Sequence, residues 1–239
     1  MEQLAAGVLG GAIMALAACQ PQSDSESGNR AAKFHILDGG GFEAEDIGLA
    51  SRLSKRLPLD IESVENHDID DRLSEIAAEV DRRLESRDHA TPIYLAIYNL
   101  ARFRMLRKSE DDYGLGGFGD EDNKKTASQN LVQIMKEGPS VGVHVLLWCD
   151  TYNNVTRWFD RGTIRDIAHR VLFQMSATDS SNLMDSAAAS HLGPYRAIYY
   201  SDEQGEFEKF RPYGPPAFEW LDEATRLLKE TRTAGEKTS

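Results

Sequence analysis

The feature that most narrows the fold is Val143 to Trp148, VHVLLW, a short and almost continuous apolar run. Apolar residues at successive rather than alternate positions fit a strand buried on both faces, as in a parallel sheet covered by helices. Just before it, Gly138 and Pro139 stop a helix over Thr126 to Glu137. Asp150, Thr151 and Tyr152 follow at the strand's C-terminal end. In an open α/β sheet that is the edge where ligands bind. Phe34 to Asp38 (FHILD), Ile93 to Tyr98 (IYLAIY) and Arg170 to Met175 (RVLFQM) have the same character. Helical segments alternate with these runs, the pattern of βαβ units, so all four are expected as neighbouring parallel strands of one sheet.

The segments between fill in a coarse map. Ile47 to Arg56 reads as a short helix stopped by Pro58, and Ile61 to Glu65 as a short strand. Asp68 to Arg87 carries Leu73, Ile76, Ala77, Val80 and Leu84 at helical spacing. Asn153 to Arg165 is a helix or two short turns, whose Trp158 and Phe159 read as core. Thr178 or Asp179 is the expected cap of a helix through Met184. Ala197 to Tyr200 and Glu206 to Arg211 make a hairpin turning near Gln204-Gly205. Pro212 to Pro216 is a spacer before a helix over Ala217 to Thr231. The expected layout is one domain over 1–214 with a flexible insertion at 109–126, then a C-terminal helix over 215–231 and a disordered tail at 232–239. Within the insertion, Gly114 to Gly119 spells GxGxxG, but neither a strand before nor a helix after is evident, so it is not a dinucleotide fingerprint.

Composition sets limits on function. The formal net charge of −12 argues against a broad nucleic-acid-binding face. It leaves room for a local basic cluster, and Arg102, Arg104, Arg107 and Lys108 form one; a solvated helix face is its simplest reading, contact with a phosphate or an acidic partner the sharper one. Cys19 and Cys149 make no CxxC pair, which suits a reducing, cytoplasmic setting. His35, His67, His89, His144, His169 and His191 are scattered, so no metal centre is legible. Leu4 to Ala18 has three readings. It is short for a membrane span of roughly 20 residues. Leu16-Ala17-Ala18-Cys19 has the form of a lipidation box, which would make the chain a secreted lipoprotein binding module, yet no Lys or Arg precedes the apolar run. The third and preferred reading is a buried helix, packed through Leu4, Val8, Ile13 and Leu16.

The ordered set GPSVGVH, RVLFQMS, DSSNLMD, then Leu192-Gly193 and a strand ending in Tyr200, resembles the C-terminal half of the FtsK/SpoIIIE motor domain, from about Lys33 to Tyr200. The resemblance implies a three-layer RecA-like P-loop core, mostly parallel, with helices on both faces and lacking the phosphate-loop strand. It places Leu4 to Ala18 as the helix that follows that loop, with Met1 just beyond it. No GxxxxGK[ST] occurs in the chain. Ile93 to Tyr98 takes the place of the Walker B strand, which in the family ends in an Asp that holds magnesium and a Glu that orients water. Those positions carry Asn99 and Leu100. Asp150 stands at the sensor position, where the family has Gln, and Arg170 matches a family arginine that serves either a neighbouring subunit's site or a structural ion pair. Asp179 and Asp185 match a further pattern whose expected work is capping or packing. The intact family uses ATP and Mg; for this chain alone no cofactor is expected. Its implied partners are other subunits or domains of an FtsK-like motor, with DNA contact not indicated by the acidic charge and no membrane contact from this segment. The functional expectation is a degenerate ATPase module acting in assembly or regulation of a translocase-type motor. The first alternative is part of an active DNA translocase whose Walker A region lies outside this chain.

Overall fold

The computed structural model describes residues 2–19, 32–40, 48–57, 59–86, 91–108 and 125–235. Three of the four apolar runs pair as the sequence predicts. β1 (Lys33–Asp38), β2 (Asp60–Ser63), β3 (Ile93–Tyr98) and β4 (Val143–Leu147) form a parallel sheet in the order β2-β1-β3-β4. The register runs unbroken from Lys33 opposite Ile93 to Asp38 opposite Tyr98, and from Ile93 opposite Val143 to Ile97 opposite Leu147. Helices α1 (Glu2–Cys19), α2 (Leu49–Ser54), α3 (Ile69–Ser86), α4 (Ala127–Glu137), α5 (Tyr152–Trp158), α6 (Arg161–Arg165), α7 (Ala177–Met184) and α8 (Phe218–Gly235) accompany the strands.

The two-residue period of a strand sorts the sheet into two cores. Phe34, Ile36, Tyr94, Ala96 and Tyr98 pack with Leu9 and Ile13 of α1, Leu53 of α2 and Leu221 of α8. Leu37, Leu95, Ile97 and Val143 pack on the opposite face with Leu73 and Val80 of α3 and Leu131 and Ile134 of α4. The result is the expected three-layer arrangement, and it explains why β1 and β3 read as continuous apolar runs. Buried Arg83 locks the N-terminal end of the sheet. Its Nη1 and Nη2 donate to the carbonyls of Val141 (3.0 Å) and Thr91 (2.9 Å), while its Nε bonds Glu79.

The fourth run departs from expectation. Arg170 to Met175 does not join the parallel sheet. β5 (His169–Leu172) instead pairs antiparallel with β6 (Ala197–Ser201), and β6 with β7 (Glu206–Phe210), in a separate sheet. The physical reason is burial on one face only. Val171 is 39% exposed beside Leu172 at 2%, and the strand ends before Phe173, which packs against the core under α1. The β6–β7 hairpin itself was expected, and Gly205 supplies the left-handed residue of its turn (φ 64°). Among the described residues β4 is therefore the outermost strand of the parallel sheet on its side.

Smaller corrections concern ends and faces. In α1 the buried positions are Ala5, Gly7, Leu9, Gly10, Ile13 and Met14, with Leu4, Val8 and Leu16 only half-buried. The helix is rotated by what it meets: Gly7 lies against the backbone of Tyr213 and Gly214, closely enough that a Cβ would stand 2.1 Å from the Tyr213 oxygen. By length and mean hydropathy (1.5) α1 would suffice to cross a membrane, and 33% of it is buried against the protein here. Ser176, rather than Thr178 or Asp179, caps α7, accepting from the Asp179 N–H (3.1 Å). α8 continues to Gly235, beyond the expected end at Thr231. The expected insertion falls almost wholly on 109–124, outside the described residues.

Candidate functional site

Because the four strands are parallel and in register, β1, β3 and β4 all end at one edge of the sheet. In an open α/β sheet the helix–strand turns at that edge leave a crevice. The chain supplies Asp38 to Gly40 from β1, Asn99 to Arg107 from β3, and Trp148 to Thr151 from β4.

Asp38 turns back on its own loop. Its two carboxylate oxygens accept from the backbone N–H groups of Gly40 and Ala50, each at 3.0 Å, which ties β1 to the first turn of α2. Gly39 is held tightly: its N–H donates to the Tyr98 carbonyl (2.8 Å), and a Cβ there would stand 2.7 Å from the same oxygen.

Asn99 is buried and takes a left-handed backbone (φ 62°, ψ 65°), uncommon for a residue with a Cβ. Its Nδ2 donates to the Gly39 carbonyl at 3.4 Å, joining the ends of β1 and β3. The left-handed residue swings the chain so that Leu100 enters the core. Leu100 is fully buried among apolar side chains, and its N–H donates to the Trp148 carbonyl (2.9 Å). Sequence reasoning placed both residues at the end of β3 but could not foresee that one would clasp β1 and the other point inward.

Asp150 is exposed beyond β4. Its Oδ1 accepts from Asn154 Nδ2 (2.7 Å) and Thr151 Oγ1 (3.4 Å), while Thr151 caps α5 through the Asn154 N–H (3.2 Å). Burial pushes the neighbouring Cys149 thiol up to about 11, so it stays protonated at neutral pH. Arg170 is not at this edge. On β5, its Nη1 donates to the Leu183 carbonyl (2.7 Å) and Asp202 (3.2 Å), and its Nη2 to the carbonyls of Ile164 and Arg165 (3.2 Å each). Its guanidinium also lies 5.5 Å from the Tyr200 ring centre. The side chain is 12% exposed, and both terminal nitrogens are spent within its own subunit, while its buried Nε has no partner.

The edge thus gathers Asp38, Asn99, Leu100 and Asp150 and leaves Arg170 out. Each carboxylate present already serves a local turn. Among the described residues no group of three or more His, Cys, Asp and Glu side chains could hold a metal ion. Arg102 and Arg104 are exposed in the two short 3₁₀ turns after Asn99 and Arg107 just past them, with Met105 47% exposed between. A Cβ on Gly39 would stand 3.1 Å from that of Arg102, so the basic turns flank the same edge.

No family model matches the chain, and no curated protein does. Solved structures do match it. The pCW3 conjugation coupling protein TcpA, in its monomer form with ATPγS, superposes with a TM-score of 0.52 at 11% identity over 82% of this chain and 57% of its own. The cytoplasmic domain of the Type VII secretion ATPase EccC from Thermomonospora curvata gives 0.53 at 16% identity, over 82% of this chain and 24% of its own. EssC (ATPases 2 and 3) from Geobacillus thermodenitrificans gives 0.56 at 12% identity, over 85% of this chain and 38% of its own. The chain has the FtsK/SpoIIIE-like P-loop ATPase fold. It spans little more than half of TcpA and smaller fractions of the two secretion ATPases.

Proposed function

We propose that this chain is a non-hydrolysing FtsK/SpoIIIE-like ATPase module of a longer, cytoplasmic protein, and that it acts in the assembly or regulation of a translocase-type motor. The observation that carries this reading is the end of β3. Phosphoryl transfer rests on positioning and charge neutralisation, with a carboxylate that holds magnesium and another group that orients water. Asn99 has no charge and gives its amide to the Gly39 carbonyl, and Leu100 points into the core. Neither Asp38 nor Asp150 fits as a substitute. The first spends both oxygens on backbone N–H groups, and the second is held by Asn154 and Thr151. Partners on this reading are other domains or subunits of the same motor.

The test is phosphate release by the purified chain with magnesium and ATP. Background rates are expected, and turnover above a no-protein control would refute the reading. Light scattering at micromolar concentration should show monomer or dimer; a stable hexamer without nucleotide would contradict it.

One observation favours a second reading, an active ATP-driven DNA translocase completed from outside this chain. β4 is apolar on both faces yet outermost in its sheet, and such an edge is a template for a further strand. The first helix begins at the end of the neighbouring strand, where the Tyr98 hydroxyl of β3 donates to the Glu2 carbonyl (3.1 Å). ATP turnover by a longer protein that adds a strand there, abolished by a proline at Val145, would select the second reading.

A further inference from the structure

Away from the sheet's C-terminal edge, the last turn of α2 and the start of α8 enclose a cavity of about 370 Å³ lined by Ser51, Arg52, Lys55, Arg56, Phe218 and Asp222. Asp38 fixes the first turn of α2 through the Ala50 N–H, and the lining side chains run from Ser51 to Arg56 along the helix and just past it. Lys55 and Arg56 face the carboxylate of Asp222 there, in a chain of net charge −12.

The charges are held in place. The guanidinium carbons of Arg52 and Arg56 sit 4.9 and 4.5 Å from the centre of the Phe218 ring. Such stacking on an aromatic ring orients a guanidinium without using its hydrogen-bond donors. Arg56 meets Asp222 through Nη1 alone, at 2.6 and 2.7 Å to the two oxygens. A fork-to-fork pair would use two nitrogens. Here Nε and Nη2 of Arg56 stay available, beside the exposed Lys55 ammonium and the Ser51 hydroxyl. A planar guanidinium edge, an ammonium and a hydroxyl around one cavity form the donor set suited to a tetrahedral oxyanion.

We propose that this cavity binds the phosphate groups of a small phosphorylated molecule, with Arg56 and Lys55 neutralising the charge and Ser51 donating to an oxygen. The volume lies within the range of small-molecule sites and exceeds what one phosphate needs, so a diphosphate is the better fit. The ligand would lie against both α2 and α8.

The experiment is calorimetric titration of the full chain with sodium pyrophosphate at low ionic strength, with inorganic phosphate and acetate in parallel. Saturable binding of one pyrophosphate is expected, weaker binding of phosphate, and none of acetate. Losing one charge-assisted hydrogen bond should weaken binding roughly tenfold, so Lys55→Gln should do so, with a smaller loss in Ser51→Ala. Both positions are clear of the contacts that hold α8. Arg104→Gln, in the basic turns at the sheet edge, should leave binding unchanged. Absence of saturable binding, equal binding by the Lys55→Gln chain, or an equal loss in the Arg104→Gln chain would each overturn the proposal.

Discussion

The sharpest test of how α1 is used comes from two of its glycines. In a helix that packs on nothing, replacing glycine by alanine stabilises by roughly 0.5–1 kcal/mol, because alanine loses less backbone freedom on folding. Gly11 is exposed, and a Cβ there meets nothing within 4 Å. Gly11→Ala should therefore raise stability by about that amount. Gly7 has the same propensity term and the opposite surroundings. Its Cβ would stand 2.1 Å from the Tyr213 carbonyl oxygen and 2.7 Å from the Gly214 carbonyl carbon. Ordinary contact is at about 3.5 Å or more, so the helix or the 213–214 backbone would have to move by over an ångström. That movement would loosen Leu9 and Ile13, which lie on the same core. Overpacking of this kind costs about 1–3 kcal/mol. Set against the propensity gain, Gly7→Ala should be destabilised by about 1–2 kcal/mol, or a few degrees in Tm for a domain of this size. Urea denaturation followed by tryptophan fluorescence, with both variants beside the parent chain, measures this directly. If Gly7→Ala is stabilised as much as Gly11→Ala, α1 is not docked on the sheet, and the lipoprotein reading of Leu4 to Cys19 regains its ground.

Three further perturbations follow from the arginine networks of the fold. Arg83→Met removes the donors to the Thr91 and Val141 carbonyls and should cost about 3–5 kcal/mol, the usual consequence of breaking a buried charged network from one side; a loss under about 1 kcal/mol would mean these carbonyls find other donors. Its partner Glu79 is held down at about 2, by the Arg82 hydrogen bond first and by Arg83 as well. A carboxyl depressed from 4.5 contributes stability above that value and loses it as pH falls toward about 2. Glu79→Gln should thus be weaker than the parent at pH 7 by about 1 kcal/mol after solvent screening, and equal to it near pH 2. Arg170→Lys should destabilise β5 to β7 and speed amide exchange there, since one ammonium cannot reach the carbonyls of Leu183, Ile164 and Arg165 together. Unchanged exchange would return Arg170 to the expectation that it serves a neighbouring subunit.

The parallel sheet was legible because its strands carry an unusual signature. β1, β3 and β4 are apolar at consecutive positions, and only strands covered on both faces need that. The same rule misassigned RVLFQM. Its apolar residues serve different neighbours: Leu172 belongs to the small core under β6, Phe173 to the core under α1, and Val171 to the surface. A window of six residues cannot distinguish one two-faced strand from a one-faced strand followed by a turn. The start of α7 failed for a related reason. Ser, Thr and Asp are all competent caps, so Ser176, Thr178 and Asp179 competed within four positions, and the backbone geometry decided.

The site was legible in position and not in direction. Parallel register guarantees that whatever follows FHILD, IYLAIY and VHVLLW will meet at one edge, so Asp38, Asn99 and Asp150 could be placed together from sequence alone. Where each side chain points depends on one backbone rotation. The left-handed conformation of Asn99 sends its own amide toward Gly39 and the next residue into the core. That geometry constrains any attempt to place carboxylates there. Asn99→Asp would face the Gly39 carbonyl, an acceptor that a carboxylate repels. Leu100→Glu would bury an unpaired charge among Leu95, Ile97 and Phe103, at a cost comparable to the whole stability of many domains. Introducing carboxylates at these two positions is therefore a change of loop conformation, not of side chains alone.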